Sequence, residues 1–341
     1  MPRRLLHIDA AKVVAANLIV LHHFTAYGPL AHALNLAVPR VSGWFFEYAR
    51  MAVQVFLVIG GYFAASSLAS HGYLQRSAPW HDIARRFVRL VLPLGAALSL
   101  TIACSALTRL WLQADFVPTT PSVVQLLAHA TLTYDLLHIE PLSVGIWYVA
   151  IDFQLFALMT LLLWTGGRQA QWLVALVGLM SLFYFNRQPD ADIWALYFFG
   201  SYALGAFAWW AGHSLHAGKL LGVLAGAGTA ALVLDFRWRI ALALTVALGL
   251  GIARSRQSVQ SMVRIHRPML KQWIRRGARS SYALFLTHFS VLLLVNALWD
   301  HLGWESTLAL GLFTLGAWSS CLVLAVVFER YIERPLSAVR V

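Results

Sequence analysis

Charged residues and cysteines are both scarce in this chain of 341 residues. Only 12% of the residues are charged, 14 of the charged residues are acidic, and there are two cysteines. Together with 60% hydrophobic residues and a mean hydropathy of +0.67, this scarcity of charge excludes an ordinary soluble globular protein. Cys104 and Cys321 form no disulfide or metal-ligand pattern, and no low-complexity tract, repeat or extramembrane domain is evident. The composition predicts a single integral-membrane domain over residues 1–341.

Apolar segments long enough, or nearly long enough, to cross a membrane recur along the chain. They predict an all-α polytopic protein of about ten transmembrane helices with both termini in the cytoplasm. Residues Ser122 to Leu136 are amphipathic and too short to cross, which indicates an interfacial or re-entrant helix. The predicted spans are 10–28, 44–69, 87–109, 143–165, 169–185, 193–213, 218–235, 238–254, 280–299 and 306–330.

The net charge of +12 would suit nucleic-acid binding, but the distribution of the basic residues argues against it. With the amino terminus inside, most of them fall on the inner side, as the positive-inside rule requires, so no nucleic-acid partner is expected. Charges in the short outer turns, Arg237 among them, are expected to be solvated. The inner side receives Arg3, Arg4, Arg76, Arg85, Arg86, Arg89, Arg168, Lys219, Arg254, Arg256, Arg264, Arg267, Lys271, Arg275, Arg276, Arg279, Arg330, Arg334 and Arg340, and the outer side Arg40, Arg50, Arg109, Arg187, Arg237 and Arg239.

The first apolar segment, Leu5 to Gly28, carries ionisable residues that a purely lipid-facing helix would lack. Asp9 and Lys12 lie near its start, and two histidines lie deep inside it. Such groups cost roughly 2.5–3.5 kcal/mol each in hydrocarbon, so they usually face a protein interior or a polar cavity. Lys12 and His23 share one helix face about 16 Å apart along the axis, and Asp9 lies on the same side. His22 points about 100° away, which makes His23 the better candidate for chemistry.

The same amino-terminal stretch also imitates a cleaved secretory signal peptide. Arg3 and Arg4, the apolar core and the small residues of Ala31-His32-Ala33 correspond to the three expected regions. Lys12 and the two histidines suit a functional helix better than a discarded one. An uncleaved helix is therefore the preferred interpretation.

The spacing of Asp9, Lys12 and His23 resembles the first helix of the membrane acyltransferase-3 family, in which Arg usually stands at the Lys12 position. Further runs along the chain resemble the family in the same order, and together they extend to Pro335. The resemblance implies a polytopic O-acyltransferase core without the additional outer domain that some relatives carry.

The run from Val53 to Phe63 is similar to the second-helix motif of the family, although Gly60 stands where Ser is common. Gly60 and Gly61 have no Cβ, so another helix or a thin ligand can approach them closely. The resemblance implies contact with the donor substrate. The residues themselves favour ordinary packing between helices, and both interpretations stay open at this point.

Arg86 and Arg89 form an Arg-x-x-Arg run at the inner membrane surface. Three residues apart on a helix, they present two guanidiniums on one side, and such forks bind phosphate oxygens well. The resemblance implies that they hold the phosphates of a coenzyme A donor. The alternative is an anchor against anionic lipid, which is the commoner role for arginines at this depth.

Three further sequence motifs, the last near the carboxyl terminus, resemble the family and contain residues that could support the site. Trp147 and Asp152 belong to a run similar to the family's W-Y-L-x-x-E, with Asp152 at the Glu position; Trp147 equally suits the interfacial aromatic belt. Tyr282 and His288 belong to a run similar to S-Y-x-L-Y-L-x-H-F. We expect His288 nearer the inner side, with a structural or donor-side role. Glu333 lies in a run similar to Y-x-x-E-K/R-P. We expect Glu333 either to pair with arginines at the inner face or to form a surface ion pair that contributes little energy.

The resemblance implies transfer of an acyl group from acyl-CoA, commonly acetyl-CoA, to a hydroxyl of a sugar in a surface polysaccharide, glycolipid or lipid-linked glycan. His23 would act as the general base or carry the acyl group transiently, with Asp9 and Lys12 ordering the polar interior beneath it. No metal is expected, and the setting implied is the lipid of a bacterial inner membrane. A transporter or flippase of a glycan or lipid-linked substrate is the alternative, because buried ionisable residues also fit that class.

Overall fold

The computed structural model describes residues 5–74, 78–257, 268–304 and 306–337, and within these ranges all regular secondary structure is helical. The all-α prediction is therefore confirmed. Several cations that the sequence assigned to the inner side lie outside the described residues: Arg3, Arg4, Arg76, Arg264, Arg267 and Arg340.

Every predicted span corresponds to one or more helices of the described chain, and the predicted short helix after Ser122 is also present. A π-helical turn, Glu329–Glu333, links the last two helices. The α-helices are α1 (Leu6–Ala26), α2 (Gly28–Ala37), α3 (Pro39–Tyr48), α4 (Val53–Leu68), α5 (Trp80–Thr108), α6 (Val123–Ala130), α7 (Trp147–Gly166), α8 (Ala170–Phe183), α9 (Ala195–Gly212), α10 (Ala217–Leu234), α11 (Trp238–Gln257), α12 (Pro268–Arg279), α13 (Ser281–Leu302), α14 (Thr307–Phe328) and α15 (Arg334–Leu336).

Seven stretches of the described chain are long and apolar enough to cross a membrane, or eight if the bent pair α1–α2 counts as one span. The predicted count of ten is not confirmed. Helices α7 and α8 fall within a single 41-residue stretch, joined by the turn Gly167–Gln169. Helix α9 has 18 residues but is not among the seven, and most of its side chains are buried.

Two compact units make up the chain, and the prediction of one domain stays a prediction. Of the described residues, unit 1 comprises 5–52, 88–147, 269–304 and 306–337, and unit 2 comprises 53–74, 78–87, 148–257 and 268. In unit 1, α1 packs against α2, α3 and α13, and α13 packs against α14. In unit 2, α9 is central and packs against α4, α8, α10 and α11.

A bend of 90° separates α1 from α2. Tyr27 is extended, and Gly28 has a φ of +83°, which favours glycine. A Cβ at Gly28 would also collide with the side chain of Asn296 on α13. The buried Asn296 accepts a hydrogen bond from the backbone N–H of Leu30 at 2.9 Å. A side chain of the neighbouring helix therefore holds the first turn of α2 in place.

Replacing Asn296 with Ala should destabilise this bend, because the N–H of Leu30 would be left buried without a partner. We expect a loss of about 1–2 kcal/mol in the free energy of unfolding, measured by denaturation of the purified protein in detergent. Ser320→Ala is the control, since the exposed Ser320 hydroxyl bonds only to the carbonyl of Gly316 in its own helix. Equal stabilities of the two variants would contradict the role given to Asn296.

The segment of unit 1 that contains α6 and was predicted as an interfacial or re-entrant helix is internally bonded. Ser122 caps α6 by accepting a hydrogen bond from the N–H of Gln125. His129 stacks on Tyr134 with ring centroids 4.4 Å apart. Its Nδ1 donates to the carbonyl of Gln125 at 2.7 Å, and its Nε2 accepts from the N–H of Leu142 at 3.1 Å. Burial lowers the pKa of His129, which favours the neutral form that this pattern requires.

Candidate active site

Helix α1 carries the predicted first-helix residues at the predicted spacing, because it is unbroken from Leu6 to Ala26. Asp9 and Lys12 lie in its first two turns, and His23 lies in its last turn. His23 is only 7% exposed, so its ring faces protein in unit 1.

His23 and His288 form a direct hydrogen bond within unit 1. Nδ1 of His23 lies 2.6 Å from Nε2 of His288, which is fully buried on α13. The ring planes are 6° apart and the ring centroids are 4.8 Å apart. This centroid separation is close to the bond length plus the two ring radii, so the bond lies in the planes of the rings. The sequence ranked His288 behind His23 and nearer the inner side, whereas the structure brings both to one site.

Backbone carbonyls fix which nitrogens of this pair carry protons. Nδ1 of His288 lies 2.8 Å from the carbonyl oxygen of Phe285 and 3.2 Å from that of Leu284. Carbonyl oxygens only accept, so this nitrogen donates, and Nε2 of neutral His288 is then an acceptor. His23 must consequently donate from Nδ1, which leaves its lone pair on Nε2. Among the described residues, Nε2 of His23 has no hydrogen-bond partner.

Gly145 lies beside the edge of the His23 ring. Its φ is +81°, and a Cβ there would lie 3.4 Å from Cε1 of His23 and 3.4 Å from the Phe285 ring. The Tyr27 ring also borders His23, with centroids 5.8 Å apart. The sequence analysis missed Gly145, although its position two residues before Trp147 was a signal. The missing side chain leaves space next to the ring edge between the two nitrogens.

Gly145→Ala should lower both stability and transfer activity. An alanine would be held at positive φ at a cost of about 1–2 kcal/mol, and its methyl group would contact the His23 ring. Thermal unfolding and initial transfer rates measure the two effects separately. Gly43→Ala is the matched control, because a Cβ at Gly43 meets nothing within 4 Å. A Gly145→Ala variant as stable and active as this control would show that the site tolerates a side chain there.

The other ionisable residues of α1 have different surroundings. The ring of His22 lies 5.1 Å from that of His23 and 5.8 Å from that of Phe46, without a hydrogen bond to His23 among the described residues. Oδ2 of Asp9 is buried and has no hydrogen-bond partner in the described part of the chain. Lys12 is half-buried and has a partner of its own. The catalytic roles of Asp9 and Lys12 stay predictions.

In unit 2, Arg86 and Asp152 form an ion pair. Nε and Nη2 of Arg86 both donate to Oδ2 of Asp152, at 3.1 and 2.5 Å. The Asp152 side chain is 7% exposed and that of Arg86 is 36% exposed. The guanidinium also lies 5.4 Å from the centroid of the Phe156 ring, a cation–π arrangement. A carboxylate near the start of an apolar helix needs a partner, and Arg86 supplies it.

Of the two arginines in the Arg-x-x-Arg run, only Arg89 could bind a phosphate without first breaking a contact that it already makes. The fork of Arg86 already faces Asp152. Arg89, one turn further along α5, is exposed and forms no hydrogen bond or ion pair with any described residue. The predicted binding of donor phosphates by both arginines stays a prediction, and Arg89 is the better placed of the two.

Gly60 and Gly61 lie where α4 packs closely against α9. A Cβ at Gly61 would overlap the backbone carbonyl of Tyr202, and Gly205 makes the reciprocal close approach to the backbone of α4. A Cβ at Gly60 would lie 3.0 Å from the Tyr202 ring and 3.9 Å from Oδ1 of Asp152. For Gly61 the structure shows the packing alternative, and the predicted contact of both glycines with the donor stays a prediction.

The remaining predicted residues are Trp147, Tyr282 and Glu333. Trp147 is half-buried at the first position of α7. The hydroxyl of Tyr282 donates to the carbonyl of Leu90 at 3.2 Å in unit 1. Oε2 of Glu333 is buried without a hydrogen-bond partner, and Glu333 forms no ion pair within the described ranges. Its predicted pairing with inner-face arginines is not seen there.

Comparison with known proteins shows which family the chain matches. Residues 5–329 match the acyltransferase-3 family, which is described as an acyltransferase domain. No curated protein and no solved structure is significantly similar to the chain. The family match includes α1 with His23, α13 with His288, and the Arg86–Asp152 pair. Since it covers nearly the whole chain, this protein belongs to the acyltransferase-3 family and is a multi-pass membrane acyltransferase.

Proposed function

We propose that the protein transfers an acyl group, acetyl in the simplest case, from acyl-CoA to a sugar hydroxyl at the bacterial inner membrane. The acceptor would be a surface polysaccharide, a glycolipid or a lipid-linked glycan. The observation that carries the proposal is the hydrogen bond between His23 and His288, which leaves a lone pair on Nε2 of His23. A hydroxyl group loses its proton as its oxygen attacks, and a fixed neutral imidazole is suited to accept that proton.

In the proposed reaction, Nε2 of His23 takes the proton from the acceptor hydroxyl as the oxygen bonds to the thioester carbonyl carbon. The carbon–sulfur bond then breaks, the coenzyme A thiolate leaves, and the imidazolium returns the proton to it. Throughout the reaction, Nδ1–H of His23 donates a hydrogen bond to Nε2 of His288. The ring of His23 therefore keeps one orientation and one tautomer. His288 is therefore a positioning residue in this mechanism.

The same lone pair also suits a two-step reaction. Nε2 of His23 would then attack the thioester, forming an acyl-histidine that the sugar hydroxyl cleaves afterwards. Rapid quenching of the protein with labelled acetyl-CoA, in the absence of acceptor, separates the two routes. Label retained on the protein and absent from a His23→Gln variant indicates the acyl-histidine, and an unlabelled protein indicates direct transfer.

Donor binding is assigned to Arg89 first, because this cation is exposed and unpaired within the described residues. Arg89→Gln should raise the KM for acyl-CoA about 3- to 10-fold and leave kcat nearly unchanged, since a phosphate contact acts on binding. Steady-state rates at varied acyl-CoA concentration measure this. Arg168→Gln, which removes another exposed arginine, is the control. Equal KM values for the two variants would remove Arg89 from the donor site.

The proposed transfer is tested with membrane vesicles that contain the protein, labelled acyl-CoA donors and candidate glycans. Label that appears on the glycan supports the enzyme, and parallel reactions with acetyl-CoA, succinyl-CoA and longer donors identify the acyl group. Movement of the glycan or lipid-linked substrate across the membrane without consumption of donor would support the transporter or flippase instead.

A further inference from the structure

Helix α12 has two chemically different faces. It has no acidic residue in its first turn and none in its sequence, PMLKQWIRRGAR. At about 100° per residue, the cations fall on one half of the helix and the apolar residues on the other. The cationic face consists of Lys271, Arg275, Arg276 and Arg279, and the apolar face of Met269, Leu270, Trp273, Ile274 and Gly277.

The apolar face of α12 is largely uncovered. Met269 is 72% exposed, Leu270 is 46% exposed and Trp273 is 67% exposed, and no residue of α12 is buried. At twelve residues, α12 is too short to cross a membrane and is not among the candidate spans. An exposed apolar face of this kind, rimmed by polar residues, is typical of a surface that contacts a membrane or another protein.

The position of α12 in unit 1 is fixed at its carboxyl-terminal end. Helix α13, a candidate span, begins at Ser281, two residues after α12 ends. Gly277 packs against α1, since a Cβ there would lie 2.9 Å from Cγ2 of Val13. The helix is therefore held at the end of a candidate span.

We propose that α12 lies in the membrane interface and binds anionic phospholipid headgroups, with its apolar face among the acyl chains and its four cations at the phosphates. Short helices with one cationic and one apolar face bind such surfaces in this orientation. A soluble anion such as coenzyme A would engage the cations and leave Met269 and Trp273 in water, whereas a lipid surface satisfies both faces. This surface is separate from the proposed transfer chemistry and does not depend on it.

Spin labels test the orientation of the helix in the full-length protein in lipid nanodiscs. Labels are attached to the single variants Trp273→Cys and Arg275→Cys, and the native Cys104 and Cys321 are buried. We expect oxygen, which concentrates in acyl chains, to relax the label at position 273 more strongly, and a water-soluble nickel complex to relax the label at position 275 more strongly. Equal access of the nickel complex to both positions would overturn the proposal.

Lipid selectivity is tested by the thermal unfolding midpoint in phosphatidylglycerol and phosphatidylcholine nanodiscs. The wild-type midpoint should be several degrees higher in phosphatidylglycerol, because binding to the folded state stabilises it. Replacement of all four α12 cations by Gln should abolish this rise, and a control that removes four exposed cations elsewhere should keep it. Loss of the rise in both variants, or the same rise caused by coenzyme A in phosphatidylcholine, contradicts the proposal. The control carries Arg40→Gln, Arg168→Gln, Lys219→Gln and Arg256→Gln.

Discussion

Replacing His23 with Gln should reduce acyl transfer by about 10²- to 10⁴-fold, the usual contribution of a general base. Glutamine keeps a polar side chain that can donate to His288 but has no basic nitrogen to accept the acceptor's proton. Initial rates of transfer from labelled acetyl-CoA measure the loss. Thermal unfolding of the same preparation shows whether the variant is folded.

The matched control is His32→Gln, because His32 is an exposed histidine on α2. It should transfer acyl groups at nearly the wild-type rate. Full activity in a folded His23→Gln protein would remove His23 from the mechanism, and with it the proposed route of the proton.

The role of His288 is tested in the same assay. His288→Leu should lower kcat by about 10- to 100-fold with little change in either KM, since leucine has no acceptor for the Nδ1 proton of His23. The pH dependence of kcat should also shift, because His23 would no longer be bonded to a second imidazole. A residue that only packs would lower stability without moving the pH profile, so an unchanged profile would contradict the positioning role.

Removal of the carboxylate of Asp152 should markedly destabilise unit 2. Breaking a buried ion pair from one side typically costs about 3–5 kcal/mol, because a charge is left without its partner. Arg86 is 36% exposed and can regain some solvent, so we expect about 2–3 kcal/mol for Asp152→Asn. Denaturation in detergent measures the free energy of unfolding.

A double variant separates the structural role of this pair from a role in donor binding. Arg86→Gln combined with Asp152→Asn should recover at least half of the lost stability, since no unpaired charge remains. If Arg86 also binds donor phosphates, the double variant stays impaired in its KM for acyl-CoA. Recovery of both properties would assign Arg86 to structure.

Arg187→Gln is the control for the ion pair. Arg187 lies 3.3 Å from Asp235, and the two side chains are 47% and 39% exposed. An ion pair this exposed contributes under about 1 kcal/mol. If Asp152→Asn proved no more destabilising than Arg187→Gln, the Arg86–Asp152 pair would not be a major source of stability.

Local patterns in the sequence were sufficient to predict most of the long helices and the residues that share a helix, but not α2 or α12. The spacing of Asp9, Lys12 and His23 follows from helical geometry, and α1 is continuous through all three. The span count was harder to predict. The sequence treated α7 and α8 as two separate spans, whereas they fall within one apolar stretch of 41 residues, and α9 was predicted as a span but is not among the candidate spans.

Contacts between distant parts of the chain could not be predicted from local sequence patterns. His23 and His288 are 265 residues apart, and their bond depends on how α1 packs against α13. Arg237 was expected to be solvated in an outer turn. Instead it is 8% exposed and donates to the side chain of Asn186 and the carbonyl of Leu182. The sequence shows the charge of such a residue, but its partners depend on the tertiary structure.

The right-angle bend after Tyr27 places the end of a helix next to His23, the proposed general base. His23 lies in the last turn of α1, where the peptide dipoles sum to a partial negative charge. When His23 takes a proton it becomes a cation, and a cation near a helix carboxyl terminus is stabilised by up to about 2 kcal/mol in favourable, partly buried geometries. Had α1 continued straight through Gly28, this partial charge would lie several turns away. In the proposed reaction, the backbone would thus contribute through its shape to the electrostatic stabilisation of the transition state.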